Sequence, residues 1–323
     1  MGRGRAKLTM KIVFFGTPEY VLPVLESLNK KFKNKDGSPP IVAVVTQPPR
    51  PVGRKQLKTF SPVDNWAHKK GIPAFYEPEE LLSGKLGALE LGVIADYGKI
   101  ISKRVIDAFS RGILNIHFSS LPAFRGASPV QAAIVSGAEE IGISIFKIDE
   151  GLDHGPIVSQ FKEELSPQET YGVLKRRLFP LAADVLCELL PAYISGKIKL
   201  KPQEHSDATY TRLITKRDGF VPTKIIGEAI KGKAPAEEKW QIGFIKDYSL
   251  TPSPDNLYNF IRAMDPWPGV WTDIKMGKLL KRLKILKAHM EADKLVLDLV
   301  QLEAKNPVSW EQFSQAYNEA TFE

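Results

Sequence analysis

Cysteine is almost absent from this chain of 323 residues, where Cys187 stands alone. A single thiol can form no internal disulfide and no cysteine-based zinc site, and it suits a reducing cytoplasm. Long apolar runs are missing too. None approaches the roughly 18 residues that a membrane-spanning helix needs, so no membrane partner is expected. Gly16 follows an apolar run, but GTPEY (16–20) lacks the further glycines of a dinucleotide fingerprint, and no Walker-type phosphate loop occurs. The histidines show no zinc-ligand spacing, which leaves no metal expected. No internal repeat or extended low-complexity tract is present.

Positive charge is in excess. The 45 Lys and Arg against 37 Asp and Glu give +8 and a pI near 9.3. A polyanionic partner such as nucleic acid fits this balance, although a mildly basic soluble protein needs no such partner. A hydrophobic content of 43% is enough for a full core, and the length suits two domains. Residues 1–9 are basic but lack the apolar stretch of a secretory signal. They are expected to be a disordered extension ahead of Met10, in a cytoplasmic protein of bacterial type or, in a eukaryote, one of an organellar matrix. No obligatory protein partner is expected.

Short apolar runs at Lys11–Phe15, Ile41–Gln47, Leu91–Gly98, Gly112–His117 and Gly142–Asp149 read as strands. Between them lie helical segments after Pro18 (Thr17 as its N-cap), at Ser61–Lys70 and at Lys103–Phe109. The alternation predicts an α/β domain over residues 10–195, Rossmann-like, around a mainly parallel sheet. Ligands of such sheets sit at the carboxyl ends of strands, where Gly16, Asp96, His117 and Asp149 fall. Ser166–Glu169 is a capping-box pattern opening a helical region to Ser195, with a break expected at Pro180. Residues 196–208 read as a linker. Residues 209–323 read as a smaller β-rich, barrel-like domain, with one helix in SPDNLYNFIRAM and two strands around the turn Glu291–Asp293. Pro222–Tyr248 has no clear pattern.

Two stretches carry chemistry. In NIHFSSLPAFRG (115–126), Asn115 and His117 are two residues apart on a strand and share a face. A satisfied polar pair at a strand end would look the same. DEGLDHGPI (149–157) reads alone as a polar loop, but its Asp153 supplies a carboxylate that could orient an imidazole and favour its protonated form. An imidazolium beside an amide offers two donors to the oxyanion formed when an amine attacks a carbonyl, each worth roughly 10²–10³ in rate.

These stretches resemble the folate-dependent formyltransferases. The hallmark is an Asn-x-His strand end, a Ser-Leu-Leu-Pro-like segment ending in Arg-Gly, and an Asp-x-Gly-x-Asp-x-Gly loop. Here they appear as NIH, SSLPAFRG and DEGLDHG, in that order. The resemblance extends to FFGTPEYVLPVL, TQPPRPVGR, IADYGKII, ASPVQAAI and IRAMDPWPGVW, and so over nearly the whole chain. It implies 10-formyltetrahydrofolate as formyl donor and the α-amine of initiator methionyl-tRNA as acceptor. It implies Asn115, His117 and Asp153 as the catalytic residues. It places Ser119, Ser120, Leu121 and Pro122 along the folate, with Ile94, Asp96, Tyr97, Asp149 and Gly151 in loops lining the pterin. Ser120, Phe118 and Ala123 depart from the commonest pattern. Ala123 stands where a cation often follows the proline, which removes one anion contact.

The basic, Pro-rich stretch Pro48–Lys58 is expected to be a loop. By the resemblance its Arg50, Arg54, Lys55 and Lys58 approach the tRNA acceptor stem, although a solvated charged loop needs no such role. Lys275–Lys287 is a second cation-rich stretch, either a phosphate track or an edge protected by lysines. Trp267 and Trp271 read as packing residues. An amino-sugar nucleotide formyltransferase would share the catalytic residues and the donor, and a non-catalytic RNA-binding protein could share the scaffold. The basic stretch favours tRNA over the first, and the Asn–His–Asp set argues against the second.

Overall fold

The computed structural model describes residues 10–34, 37–52, 56–234, 239–277 and 279–322. The 1–9 extension, Arg54 and Lys55 fall outside this set. The helices are Leu22–Lys31 (α1), Pro62–Lys70 (α2), Lys103–Asp107 (α3), Pro129–Val135 (α4), Tyr171–Ile194 (α5), Thr223–Ile230 (α6), Pro254–Met264 (α7) and Trp310–Ala316 (α8). The chain divides into two compact units. The first comprises 10–125, 142–162 and 175–208, the second 126–141, 163–174 and 209–322.

The first unit is built on the apolar runs. Its parallel strands are β1 (Ile12–Gly16), β2 (Ile41–Val45), β5 (Ala74–Phe75), β6 (Leu91–Ala95) and β7 (Ile113–His117). Between β2 and β5 lies a small antiparallel pair, β3 (Arg50–Val52) and β4 (Leu57–Thr59). After β7 come the two-residue β8 (Arg125–Gly126), then β9 (Glu140–Lys147) and β10 (Ile157–Glu164). The large sheet has the order β10-β9-β7-β6-β1-β2-β5, with β9 antiparallel to β7. Strands buried on both faces need near-continuous apolar sequence, and β1 is fully buried along its length. From β1 the chain steps outward to β2 and β5, then returns to β6 on the other side. The carboxyl ends of β1 and β6 therefore frame the switch point where such sheets bind ligands. The α/β expectation holds.

Five local expectations fail for identifiable reasons. Ser166–Glu169 does not open the long helix: the Ser166 amide donates to Glu169 Oε2 (3.1 Å) across a turn, and α5 starts only at Tyr171. Thr17 does not cap a helix: a 3₁₀ turn at Glu19–Val21 precedes α1, and the Thr17 hydroxyl accepts from the Gln47 amide (3.3 Å) instead. Pro180 does not break α5, because it lies on the exposed side while Leu178, Phe179, Ala182 and Ala183 bury the opposite one. The basic stretch forms a hairpin, not an irregular loop; Pro51 is tolerated because a two-stranded ribbon leaves outward N–H positions unpaired. The strand β10 has no counterpart among the predicted elements. Its burial alternates as an edge strand's does, and the alternating charges of FKEE resemble a solvated segment.

The second unit holds β11 (Tyr210–Thr211), β12 (Trp240–Gln241), β13 (Ser249–Leu250), β14 (Val270–Met276), β15 (Leu279–Glu291), β16 (Lys294–Leu302), β17 (Val308–Ser309) and β18 (Ala320–Thr321). The last five make an antiparallel sheet in the order β17-β16-β15-β14-β18. Register shifts around Lys287 bend β15 and help curl the sheet into a half-barrel, as the β-rich pattern implies. The amphipathic α7 lays Leu257, Phe260, Ile261 and Met264 into the core, with Ser253 capping it through the Asn256 amide (3.1 Å). The patternless 222–248 segment supplies α6, which packs on α7 and β16.

Arg262 of α7 is the main buried charge of this unit. Its guanidinium donates to the carbonyls of Glu169 (2.7 Å) and Ser166 (3.3 Å) and to Asn259 Oδ1 (2.6 Å), fastening residues 163–174 to the helix. Arg262→Met removes these bonds and strands two carbonyls, and is expected to cost about 2–3 kcal/mol. Four of the five tryptophans (240, 267, 271 and 310) report on this unit. A fluorescence-detected urea midpoint equal to that of the unaltered protein would remove Arg262 from the account.

Candidate active site

The β7 register puts Asn115 opposite Phe146 and His117 opposite Ser144 of β9. Ile116 turns to the other face and is buried, so the amide and the imidazole share one side at the strand's carboxyl end. Asn115 is half-buried. His117 is only 6% exposed and stands edge-on to Phe146. Its Nε2 lies 3.0 Å from the Phe124 carbonyl and its Nδ1 3.6 Å from Asp153 Oδ2. A carbonyl can only accept, so Nε2 carries a proton and donates, and Nδ1 is the nitrogen directed at the carboxylate.

The segment between His117 and Arg125 is folded by its own polar atoms. Ser119 Oγ donates to the Ala123 carbonyl (2.6 Å), and the Ala123 amide donates to the Ser120 carbonyl (3.0 Å). Ser144, buried in β9, donates to the Ser119 carbonyl (2.6 Å) and accepts from the Leu121 amide (3.2 Å) and Gln160 Nε2 (2.9 Å). Leu121 packs with Phe146 and Ile157, and the Leu121–Pro122 peptide is cis. Gly142 is required beneath: a Cβ there would lie 2.2 Å from the Ser120 nitrogen. The turn ends at Phe124 in the left-handed region (φ 54°), which aims its carbonyl at His117.

The 149–155 loop brings in Asp153, also left-handed (φ 45°). Asp149 accepts from the Gly151 amide (2.9 Å) and pairs with His154 Nδ1 (2.7 Å). Gly155 allows the return: a Cβ would sit 1.9 Å from the Lys147 carbonyl. Gln203, which belongs to no motif, binds this loop, and Arg125 holds Gln203. Gln203 donates to the carbonyls of Asp153 (2.9 Å) and Gly155 (2.7 Å), and its Oε1 accepts from Arg125 Nη2 (2.7 Å) and Nε (3.2 Å). Arg125 Nη2 also meets His205 Nδ1 (2.7 Å), and the His205 ring stacks on His154 at 3.8 Å. In the sequence Arg125 figures only as half of the Arg-Gly ending. Gln203 lies in the polar 196–208 segment, where no periodicity marks it.

At the carboxyl end of β6, Ile94 packs on the sheet's core and Asp96 adopts a left-handed φ of 48°. The Asp96 carboxylate binds the Tyr20 hydroxyl (2.7 Å) and Lys175 Nζ, two partners that the sequence does not mark. Burial opposes its charge, but the Lys175 ammonium and the Tyr20 hydroxyl outweigh burial and hold the carboxyl below its ordinary value. Tyr97 is a core residue against Phe15, its buried hydroxyl without a partner among the described residues; burial pushes that phenol up. Its carbonyl accepts from Gln47 Nε2 (3.1 Å), and Gln47 Oε1 accepts from Arg50 (3.1 Å), so the basic hairpin is anchored to the end of β6. Lys58 extends over Phe60 at 5.8 Å.

Among the described residues no cluster of three or more His, Cys, Asp or Glu is arranged to hold a metal ion, and no helix is long and apolar enough to cross a membrane. Cys187 is buried in α5, where burial pushes its thiol up to about 11, so it is a core residue and not a nucleophile. Trp267, expected to pack, is about half exposed.

An Asn–His face at the end of a parallel strand, with a carboxylate beside the ring, has the donors and the base that acyl transfer to an amine requires. Residues 10–190 match the formyl transferase family and residues 250–295 its C-terminal domain. The chain belongs to the formyl transferases, on the methionyl-tRNA formyltransferase branch, and is a formyl-transferring enzyme. It is 37% identical over 280 residues to the methionyl-tRNA formyltransferase of Kosmotoga olearia, covering 85% of this chain and 78% of that one. The structure of the Clostridium thermocellum methionyl-tRNA formyltransferase has the same fold, with a TM-score of 0.55 at 19% identity over 91% of this chain and 98% of that one. So does a Helicobacter canadensis N-formyltransferase in complex with folinic acid and dTDP-3-aminofucose, with a TM-score of 0.57 at 17% identity over 87% and 88%.

The Asp96–Lys175 pair gives a test of the switch point. The Lys175 side chain is 11% exposed and that of Asp96 32%, so the pair is intermediate between surface and core. Lys175→Met, which strands the carboxylate, is expected to cost about 2–3 kcal/mol, and adding Asp96→Asn to recover part of that. Because the folded carboxyl is depressed, its stabilisation is present above the ordinary aspartate range of about 3.9 and is lost as pH falls through the folded value. The stability gap between the unaltered protein and Asp96→Asn should therefore close on acidification. A gap constant with pH would show that the charge contributes nothing.

Proposed function

We propose that this enzyme transfers the formyl group of 10-formyltetrahydrofolate to the α-amine of methionyl-initiator-tRNA, in a bacterial-type cytoplasm and without a metal or an obligatory protein partner. The observation that carries this reading is the buried His117 ring, fixed between the Phe124 carbonyl and the Asp153 carboxylate on the same strand face as Asn115. Addition of an amine to the formyl carbon puts negative charge on the formyl oxygen. The Asn115 amide and a protonated His117 Nδ1–H supply donors for that charge, while Nε2–H stays on Phe124. Asp153 orients the His117 ring and, through a water, accepts the proton that the attacking amine must lose.

The residues present suit the folate donor. Ser119–Pro122 and the 149–151 turn offer fixed backbone groups, and Ile94, Asp96 and Tyr97 lie at the switch point where such sheets take ligands. Residues 10–195 act as the catalytic, folate-binding part and 209–323 as the tRNA-binding part, with 196–208 joining them. The acceptor reading is supported by relatives above 30% identity that are named for methionyl-tRNA, whereas the sugar-nucleotide enzyme resembles this chain in fold alone. In β15 the cations Arg282 and Lys284 are exposed while Leu283 and Ile285 are buried, so one strand presents a basic face suited to phosphates.

The decisive assay offers 10-formyltetrahydrofolate with either methionyl-tRNA or an amino-sugar nucleotide, in chelator, and follows which acceptor gains formate. Formylated methionine is expected; a formylated sugar would overturn the acceptor. Asn115→Ala, His117→Ala and Asp153→Ala are each expected to lower turnover by at least about 10² with folate binding kept, and double variants to lose much less than the product of the singles. Near-normal turnover in any one removes that residue from the mechanism.

The cations Arg50, Arg54, Lys55 and Lys58 of the basic stretch are assigned to tRNA. Each Ala substitution that removes a phosphate contact should flatten the salt dependence of tRNA binding by about one unit of slope or somewhat less. Folate hydrolysis or transfer to a small amine should be unaffected. A fall in both reactions together would place this stretch in the chemistry itself; no change in either would leave it a solvated ribbon.

A further inference from the structure

The two nitrogens of His117 face two residues that are both in the left-handed region although neither is glycine: Phe124 (φ 54°) and Asp153 (φ 45°). Such conformations are strained for residues with a side chain and persist only where the surroundings hold them. One buried connection reaches both. Arg125 directly follows Phe124, and its guanidinium, 2% exposed, donates twice to Gln203 Oε1. The Nε2 of that same Gln203 amide donates to the carbonyls of Asp153 and Gly155 on either side of His154. The amide orientation is forced: a flip would turn oxygen toward two carbonyls and NH₂ toward a guanidinium. Arg125 is held in turn at His205 Nδ1, so its fork cannot rotate away.

We infer that the Arg125–Gln203 bridge sets the approach of Asp153 to His117, making these two positioning residues for formyl transfer. Asp153 stands 3.6 Å from Nδ1, close enough to face and orient the ring but beyond a hydrogen bond that would consume the N–H. A carboxylate a few tenths of an ångström nearer would capture that proton and withdraw it from the formyl oxygen. One much further away could neither orient the ring nor take up the amine's proton. The separation is therefore the quantity the bridge controls, and Gln203 reaches it through the backbone carbonyl of Asp153. A segment that reads as a linker thus completes the active site from behind. The inference rests on the proposed formyl transfer for its kinetic readout alone.

Gln203→Glu separates positioning from folding. Glutamate keeps the length and strengthens the contact with Arg125, but it has no N–H for the Asp153 and Gly155 carbonyls. Arg125→Lys is the second variant, because lysine keeps the charge but cannot fork between Gln203 and His205. The primary measurement is the ¹⁵N-histidine NMR titration of His117, identified by its loss in His117→Gln. In a variant whose melting temperature shows it folded, the midpoint is expected to move by at least about half a unit. The kcat for transfer should fall about 10-fold or more, since a shift of about 1 Å can cost about 10², while KM for the folate stays within about threefold. A His117 titration unchanged in both folded variants, or a kcat loss that only tracks the unfolded fraction, would overturn the bridge. If the unaltered enzyme formylates no acceptor, the functional reading fails, and the NMR titration still decides the bridge.

Discussion

A buried imidazole needs both nitrogens accounted for, and the way His117 meets that demand organises the first unit. Nε2 takes the Phe124 carbonyl and Nδ1 faces Asp153. For that carbonyl to point back at β7, the chain after the strand must reverse within seven residues, which explains the density of internal hydrogen bonds from Ser119 to Ala123 and the hub at Ser144. Asp153 comes from the other side. Because β9 runs antiparallel to β7, it ends beside Leu114, at the opposite end of the strand from His117. The 149–155 loop must therefore fold back along the sheet to bring Asp153 to the imidazole, and Gly155 lets the chain return beside Lys147 afterwards.

What the sequence discloses follows how local the physics is. The parallel strands β1, β2, β6 and β7 are legible because burial on both faces requires continuous apolar runs, whereas β5 is too short to leave one. Asn115 and His117 can be paired because alternation along a strand is local. The edge strand β10 is not legible, since its alternating charges satisfy a solvated loop equally well, and the β3–β4 hairpin is hidden by its prolines. Pro180 misleads for a related reason: a rule about isolated helices yields to burial of the opposite face. The partners set by folding leave no local signal. Lys175 lies 79 residues from Asp96 and Gln203 lies 50 from Asp153, and neither belongs to a motif.

The carboxylates of Asp96 and Asp153 are handled in different ways, and the difference bears on what each can do. Asp96 has an ionic partner in Lys175 and a hydroxyl from Tyr20, so its charge is employed in holding β6, α5 and the turn after β1 together at the switch point. Any pterin contact it makes must use what remains of its lone pairs. At Asp153 the backbone is what Gln203 fastens, and the side chain faces a ring that can gain or lose a proton. Stability is drawn from the first carboxylate, while the second is the one that the proposed mechanism uses.

Charge is also divided along the chain in a way that suits a bulky anionic acceptor. The hairpin that carries Arg50 and Lys58 is tied by Gln47 to the Tyr97 carbonyl, so cations at its strands have a fixed origin at the end of β6, the switch point of the sheet. In the second unit Arg282 stacks on Trp271 at 4.1 Å, which pre-orders one guanidinium of the basic strand face. A small amino sugar would require neither feature, because the contacts that select it must lie within a few ångströms of the reacting amine. Cations spread over a hairpin and a thirteen-residue strand serve a ligand whose charge is distributed over many phosphates, and that distribution, more than the total of +8, argues for nucleic acid.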